Sequence, residues 1–263
     1  MSKLSASDLH VRLGARDVLC GLTFDLRQGQ LVLLAGRNGA GKSTLLRALL
    51  GACRPDRGLV LLEERPLAVW PDRERARRIA FVPQGIDTPF EFTGRELVTM
   101  GRHAHRGRGD ELQRADLDAI DRAIAAVDAA SFAGRPITTL SGGEQRRIAV
   151  ARALATEAPF LLLDEPTTNL DLEHALQLVA LLRQLAAGGR GILVASHDLN
   201  LFARHCDQVA LLHEGRIYAA GSPHDVLWPG NVEVVFGVRS ASPQGFFPRE
   251  FRLPPGPEAP PAG

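Results

Sequence analysis

Gly36-Arg37-Asn38-Gly39-Ala40-Gly41-Lys42-Ser43-Thr44 follows the continuous apolar run 31–35 and precedes Leu45, Leu46, Ala48 and Leu49. The stretch fits G-x-x-x-x-G-K-[ST], a phosphate-binding loop set between a strand and a helix. Its glycines let successive backbone N–H groups curl around phosphate oxygens, and the helix that opens behind them adds positive potential. Lys42 is one of only two lysines in a chain with 29 arginines. A compact ammonium suits the β/γ-phosphates, where a broad guanidinium fits poorly. Ser43 offers a hydroxyl to Mg²⁺. Residues 36–44 therefore point to a nucleoside triphosphate, ATP first. The other lysine, Lys3, falls in an N-terminus expected to fray.

The 263 residues allow one large domain or two lobes, and the formal net charge is +1. That balance argues against a nucleic-acid backbone as main partner. The run Arg73, Arg75, Arg77, Arg78, broken by Glu74, reads as a solvated helix face. Cys20, Cys53 and Cys206 fit no metal spacing and no disulfide framework, and read as buried small residues of a reducing compartment. No apolar signal core opens the chain, and no apolar run approaches the ~20 residues of a spanning helix. The expectation is a cytosolic protein whose membrane link comes through a partner.

Outward from the loop, Leu9, Val11 and Leu13, then Leu22, Phe24 and Leu26, alternate with polar residues as strands do. Gly51 can close the first helix in the left-handed conformation. Further strands are expected at 58–62 and 79–82, with a helix at 72–78 between them. From about 88 to 157 the pattern turns helical. Thr93-Gly94-Arg95-Glu96 and Ser141-Gly142-Gly143-Glu144 have capping-box spacing. Leu117, Ile120, Ile124 and Val127 mark one helix face, and 101–110 reads as a basic, glycine-rich loop. Strands return at 160–163 and 192–195, each followed by a helix, which implies a parallel sheet. A hairpin is expected at 209–212 and 216–219. The tail 254–261 is too rich in proline to pack a core.

A phosphate loop alone serves many reactions. The apolar strand 160–163 ends in Asp164-Glu165, where Asp164 can hold Mg²⁺ and Glu165 can polarise a water. Gly142 and Gly143 stand just inside a helix start, at a cost of roughly 1 kcal/mol each against alanine. They make sense if something must approach the backbone closely, and a phosphate is the natural candidate.

In this order — phosphate loop, Gln84, Leu140-Ser141-Gly142-Gly143-Glu144, Asp164-Glu165, Asn169-Leu170-Asp171, Ser196-His197-Asp198 — the sequence resembles the ATP-binding subunit of ABC transporters over roughly residues 5–238. The resemblance implies an α/β P-loop NTPase (RecA-like) core with a parallel sheet, an antiparallel β lobe and an inserted all-helical lobe. The core would be 1–87 and 158–240, the helical lobe about 88–157, and 241–263 a tail. It implies a head-to-tail homodimer in which Ser141, Gly142, Gly143 and Glu144 reach the ATP held by the other subunit. It implies that His197 contacts the γ-phosphate and orients water with Glu165. Gln84 would reach the metal or the water, and Asp171 would line the dimer seam. Mg²⁺ would rest on Ser43, Gln84 and Asp164. Implied partners are integral membrane permease subunits at the cytoplasmic face and, indirectly, an extracytoplasmic substrate-binding protein.

Softer matches, among them 77–84, Glu96-Leu97-Val98, Ser196–Asn200 by position 196–200, and 234–238, resemble the importer branch for iron–siderophore, haem and cobalamin complexes. Iron(III)–siderophore is the first expectation, with haem or cobalamin as alternatives. His103 and His105 read as part of a solvated loop. Two departures stand out: no aromatic lies near Val11-Arg12-Leu13-Gly14 to stack on adenine, leaving Leu13 or Val18, and Arg37 stands where proline is common. A soluble cluster-assembly ATPase and a small-molecule kinase are the rival classes.

Overall fold

A computed structural model describes residues 2–85, 91–107 and 110–237. The proline-rich tail and Val238 lie outside the described residues, as do 86–90 and 108–109.

The chain opens with β1 (Lys3–Leu13) and β2 (Arg16–Arg27), then enters β3 (Leu31–Ala35) and α1 (Lys42–Leu50). It continues through β4 (Arg57–Leu62), β5 (Arg65–Pro66), α2 (Asp72–Arg78) and β6 (Ile79–Val82). Next come α3 (Gly94–Thr99), a 3-10 helix over Met100–His105, α4 (Arg114–Ala126) and α5 (Gly142–Ala155). β7 (Phe160–Asp164), α6 (Leu172–Ala187), β8 (Gly191–Ala195), α7 (Leu199–Phe202), β9 (Gln208–His213), β10 (Arg216–Gly221), α8 (Pro223–Val226) and α9 (Pro229–Phe236) complete it. One sheet is antiparallel, in the order β2-β1-β4-β5. The other has the order β10-β9-β3-β8-β7-β6 and is parallel except for the β9–β10 hairpin. This is the α/β architecture expected from the sequence.

The parallel strands are buried on both faces, which is why they read as unbroken apolar runs. Their alternation builds two cores. Leu31, Leu33, Leu161, Leu163, Ile192 and Val194 point to a core shared with α4, α5 and α6. Val32, Leu34, Phe160, Leu162, Leu193 and Ala195 point to a second, shared with α1 and the antiparallel sheet. α1 ends where expected, at Gly51 with φ 74°.

Several expectations change. Lys3 does not fray: it opens β1 opposite Arg27, with its ammonium 3.0 Å from Asp25. Cys206 is buried and its thiol pushed up to about 12 by desolvation, but Cys20 and Cys53 are only half-buried. Arg73 and Arg77 are exposed yet not merely solvated, because both donate to the Ala104 carbonyl at the end of the 3-10 helix. That helix takes the first half, 101–105, of the expected basic loop. Within it Arg102 is buried, held by Asp116 (2.8 Å), Glu157 (2.9 Å) and the Ala155 carbonyl (2.8 Å). His103 is exposed, whereas His105 is half-buried with Nε2 2.8 Å from the Thr156 carbonyl.

Candidate active site

The parallel sheet presents its carboxyl-terminal edge to one side, the usual place for a ligand in such a sheet. Gly36 follows β3, Gln84 follows β6, Glu165 follows β7, and Ser196 with His197 follow β8. Between these ends lies a hollow of about 460 Å³ lined by Leu13, Arg16, Val18, Asn38, Gly39, Gly41, Lys42, Ser43, Thr44, Gln84, Asp164 and Glu165.

The loop is built by close approach. A Cβ on Gly36 would run into the Leu212 carbonyl, and one on Gly41 would sit 2.9 Å from Leu19 Cδ2 with φ at 112°. Gly41 caps α1 without a side-chain hydrogen bond, so the first N–H groups of the helix remain open to a ligand. Arg37, Asn38 and Gly39 are exposed, Ala40 and Ser43 half-buried, Thr44 buried. Lys42 is 6% exposed. Its Nζ donates to the Gly36 carbonyl at 2.8 Å and lies 3.8 Å from Glu165 Oε1. Desolvation lowers its pKa, against the pull of Glu165 and Asp164.

Asp164 ends β7, and both it and Glu165 are buried. Glu165 adopts φ 48°, a sparsely populated region for a residue with a Cβ. Its N–H donates to the Ala195 carbonyl at 2.8 Å, which aims the side chain past the strand end. Glu165 Oε2 lies 2.9 Å from His197 Nδ1 and 3.5 Å from Ser196 Oγ. A carboxylate held by an orienting imidazole at the mouth of a phosphate loop can take a proton from water. Ser43, Gln84 and Asp164 bring a hydroxyl, an amide and a carboxylate to the same hollow, hard oxygen donors of the kind Mg²⁺ takes together with phosphate oxygens.

Ser141–Glu144, positions 141–144, do not line this hollow. The capping box is formed: Ser141 Oγ accepts from Glu144 N–H at 3.2 Å, and Glu144 accepts from Ser141 N–H at 2.7 Å. The two glycines have an intramolecular reason the sequence did not suggest. A Cβ on Gly142 would lie 3.2 Å from Asn169 Cβ, and one on Gly143 3.1 Å from the Asn169 carbonyl. Asp171 caps α6, accepting from His174 N–H at 2.9 Å with His174 Nδ1 at 2.7 Å.

Two residues escaped the sequence reading. Arg16 lines the hollow and donates to the Gly39 carbonyl at 3.3 Å. Arg146, from α5, lies buried behind the Asp164–Glu165 turn. A signal for Arg146 existed: it shares a helix face with Ala149, Val150 and Ala153, all buried.

Comparison with known proteins follows the same lines. The ABC transporter family matches residues 19–168. The hemin import ATP-binding protein HmuV of Streptomyces coelicolor is 45% identical over 234 residues, 88% of this chain and 82% of that protein. The cobalamin import ATP-binding protein BtuD of Halobacterium salinarum is 43% identical over 240 residues. That alignment takes in 90% of this chain, which spans 60% of the Halobacterium protein's length. A solved transporter assigned to the metal-chelate type of ABC transporter, in an inward-facing conformation, superposes with TM-score 0.79 at 29% identity, covering 94% of this chain and 96% of that one. The dimeric structure of the bacterial ABC transporter cassette MJ0796 gives TM-score 0.75 at 25% identity, covering 84% of this chain and 98% of that one.

Proposed function

The chain belongs to the ABC transporter family, and from that premise and the hollow's geometry we infer that it is the ATP-hydrolysing subunit of an importer for a metal chelate. One observation carries the reading: Lys42, Ser43, Gln84, Asp164 and Glu165 converge on one hollow, with His197 bonded to Glu165. Residues 36–44 cradle the phosphates of ATP, and Lys42 exchanges its Gly36 contact for phosphate oxygens. Glu165 Oε2 takes the proton of the attacking water while His197 holds that carboxylate in place. Ser43, Gln84 and Asp164 would hold Mg²⁺, which when bound neutralises phosphate charge.

The position of α5 supports a site completed by a second copy. Its capping box occupies the Ser141 and Glu144 N–H groups, so the Gly142 and Gly143 N–H groups remain to meet an anion. In a head-to-tail dimer, Ser141, Gly142 and Gly143 of one subunit close the other's hollow at the γ-phosphate, with Asp171 at the seam. A specific contact of this kind buries about 1,000 Å² or more. Closure moves the helical insertion, and Gln84's segment passes that motion to permease helices docked against 84–106, of which 86–90 lie outside the described residues, at the cytoplasmic face.

Among the described residues no helix is long and apolar enough to cross a membrane, so transport needs the permease. An extracytoplasmic binding protein would deliver the cargo. The relatives are named for hemin and cobalamin import and do not single out iron(III)–siderophore, so the cargo is assigned only as a metal chelate. Co-purification with a soluble complex instead of a membrane protein would favour the cluster-assembly rival.

The direct test is Glu165→Gln. Steady-state phosphate release should fall by about 10²–10⁴-fold, the range a general base contributes, with equilibrium ATP binding unchanged. Turnover near the parental rate would remove Glu165 as the base.

A further inference from the structure

Arg146 is a buried cation that the reaction above leaves without a role. It is 4% exposed, one helical turn beyond Gly142 on α5. Among the described residues no carboxylate forms an ion pair with its guanidinium. It donates instead to four backbone carbonyls. Nε reaches Pro166 O at 2.9 Å, and Nη2 reaches Asp164 O at 2.6 Å and also Glu165 O. Nη1 donates to Pro83 O, the residue before Gln84.

These carbonyls belong to two segments that leave neighbouring strands, β6 and β7. One carries Gln84 and the other carries Asp164 and Glu165. A planar fork of five donors can bridge both at once. The second segment also needs holding. Glu165 sits at φ 48°, and besides Arg146 its turn has the Glu165 N–H to Ala195 O bond and the Thr168 N–H to Glu165 O bond at 3.2 Å. Burial lowers the guanidinium to about 10, with Asp164 and Glu165 opposing that fall, so it stays charged at neutral pH.

We propose that Arg146 is a positioning residue for ATP hydrolysis: by binding the carbonyls of Pro83, Asp164, Glu165 and Pro166 it fixes Gln84 and the two catalytic carboxylates relative to α5. This rests on the hydrolase reading given above. The phosphate loop is untouched by it, so the effect belongs to turnover and not to ATP affinity.

The test is Arg146→Ala in the full chain. The account expects kcat to fall by about 10²-fold, the scale of a misplaced reacting group, with KM for ATP held within about twofold. Dilute guanidinium should restore part of kcat, and urea, its neutral counterpart, should not. Amide exchange at Glu165 and Thr168 should accelerate. A kcat within about threefold of the parent, or a loss shared equally with KM and unrelieved by guanidinium, would overturn the proposal. If the alanine variant does not fold, Arg146→Gln serves, since it keeps polarity but loses the fork. It should show the same split between kcat and KM, and a parental kcat would overturn the proposal. A parent chain that splits no ATP would refute the hydrolase reading alone. Exchange at Glu165 and Thr168 then decides the clamp, and unchanged exchange in the variant rejects it.

Discussion

Leu13 sits at the mouth of the hollow with half its surface exposed (50%), although its place in the β1 alternation predicts burial. Family members usually stack an aromatic on adenine near this turn. Here Leu13, Val18 and the Arg16 side chain form the available ledge. An aromatic placed there should engage the base. Stacking on an aromatic contributes about 1–3 kcal/mol per base, so Leu13→Tyr should tighten ATP binding by about 5- to 10²-fold. Calorimetric titration of ATP measures it, and an unchanged Kd would place the base elsewhere. Individual residues differ in how legible they are. Lys42 and Glu165 stand in motifs whose spacing states their chemistry. Arg146 stands in a pair, Arg146-Arg147, that looks like surface charge. Only the helix period distinguishes the two: Arg146 turns inward, while Arg147 lies over the Phe132 ring at 4.7 Å.

Helices and strands were mostly readable because their ends are written locally. β3 and β6 have the predicted limits, and both capping boxes form as their spacing required. What the sequence could not show are contacts made across long separations. Arg102 meets Asp116 and Glu157 only after α4 and α5 have packed. Asn169 meets Gly142 and Gly143 only after β7 has joined its sheet. The capping box of α5 also carries a pH signature. The Glu144 carboxylate is held below the ordinary glutamate range, chiefly by the Ser141 backbone N–H, then by the Ser141 hydroxyl. A group whose folded value is depressed stabilises the fold above its unfolded value, and that stabilisation is lost as pH falls through the folded one. The Tm of the parent should therefore exceed that of Glu144→Gln at neutral pH, with the gap closing as the medium is acidified below about pH 4.3. Thermal melts of both chains across that range decide it, and a gap that widens in acid would contradict the assignment.

At the scale of the whole molecule, two cores back one parallel sheet, the segments leaving β3, β6 and β7 line the hollow, and His197 after β8 reaches Glu165. The helical insertion between β6 and β7 carries α5 with the glycine-rich turn at its head. Arg146 fastens the same helix to the carboxylate turn of its own chain. The turn at the head of α5 lies outside its own chain's hollow, and the proposed dimer has a second copy complete each site. The most direct measurement mixes two variants, Lys42→Ala and Ser141→Arg, each of which should be inactive alone. Random pairing makes half the dimers mixed, each with one intact site of two, so the mixture should recover about a quarter of the parental ATPase rate. If each chain instead supplied its whole site by itself, both lesions would persist on mixing, and a mixture as inactive as its components would contradict the account.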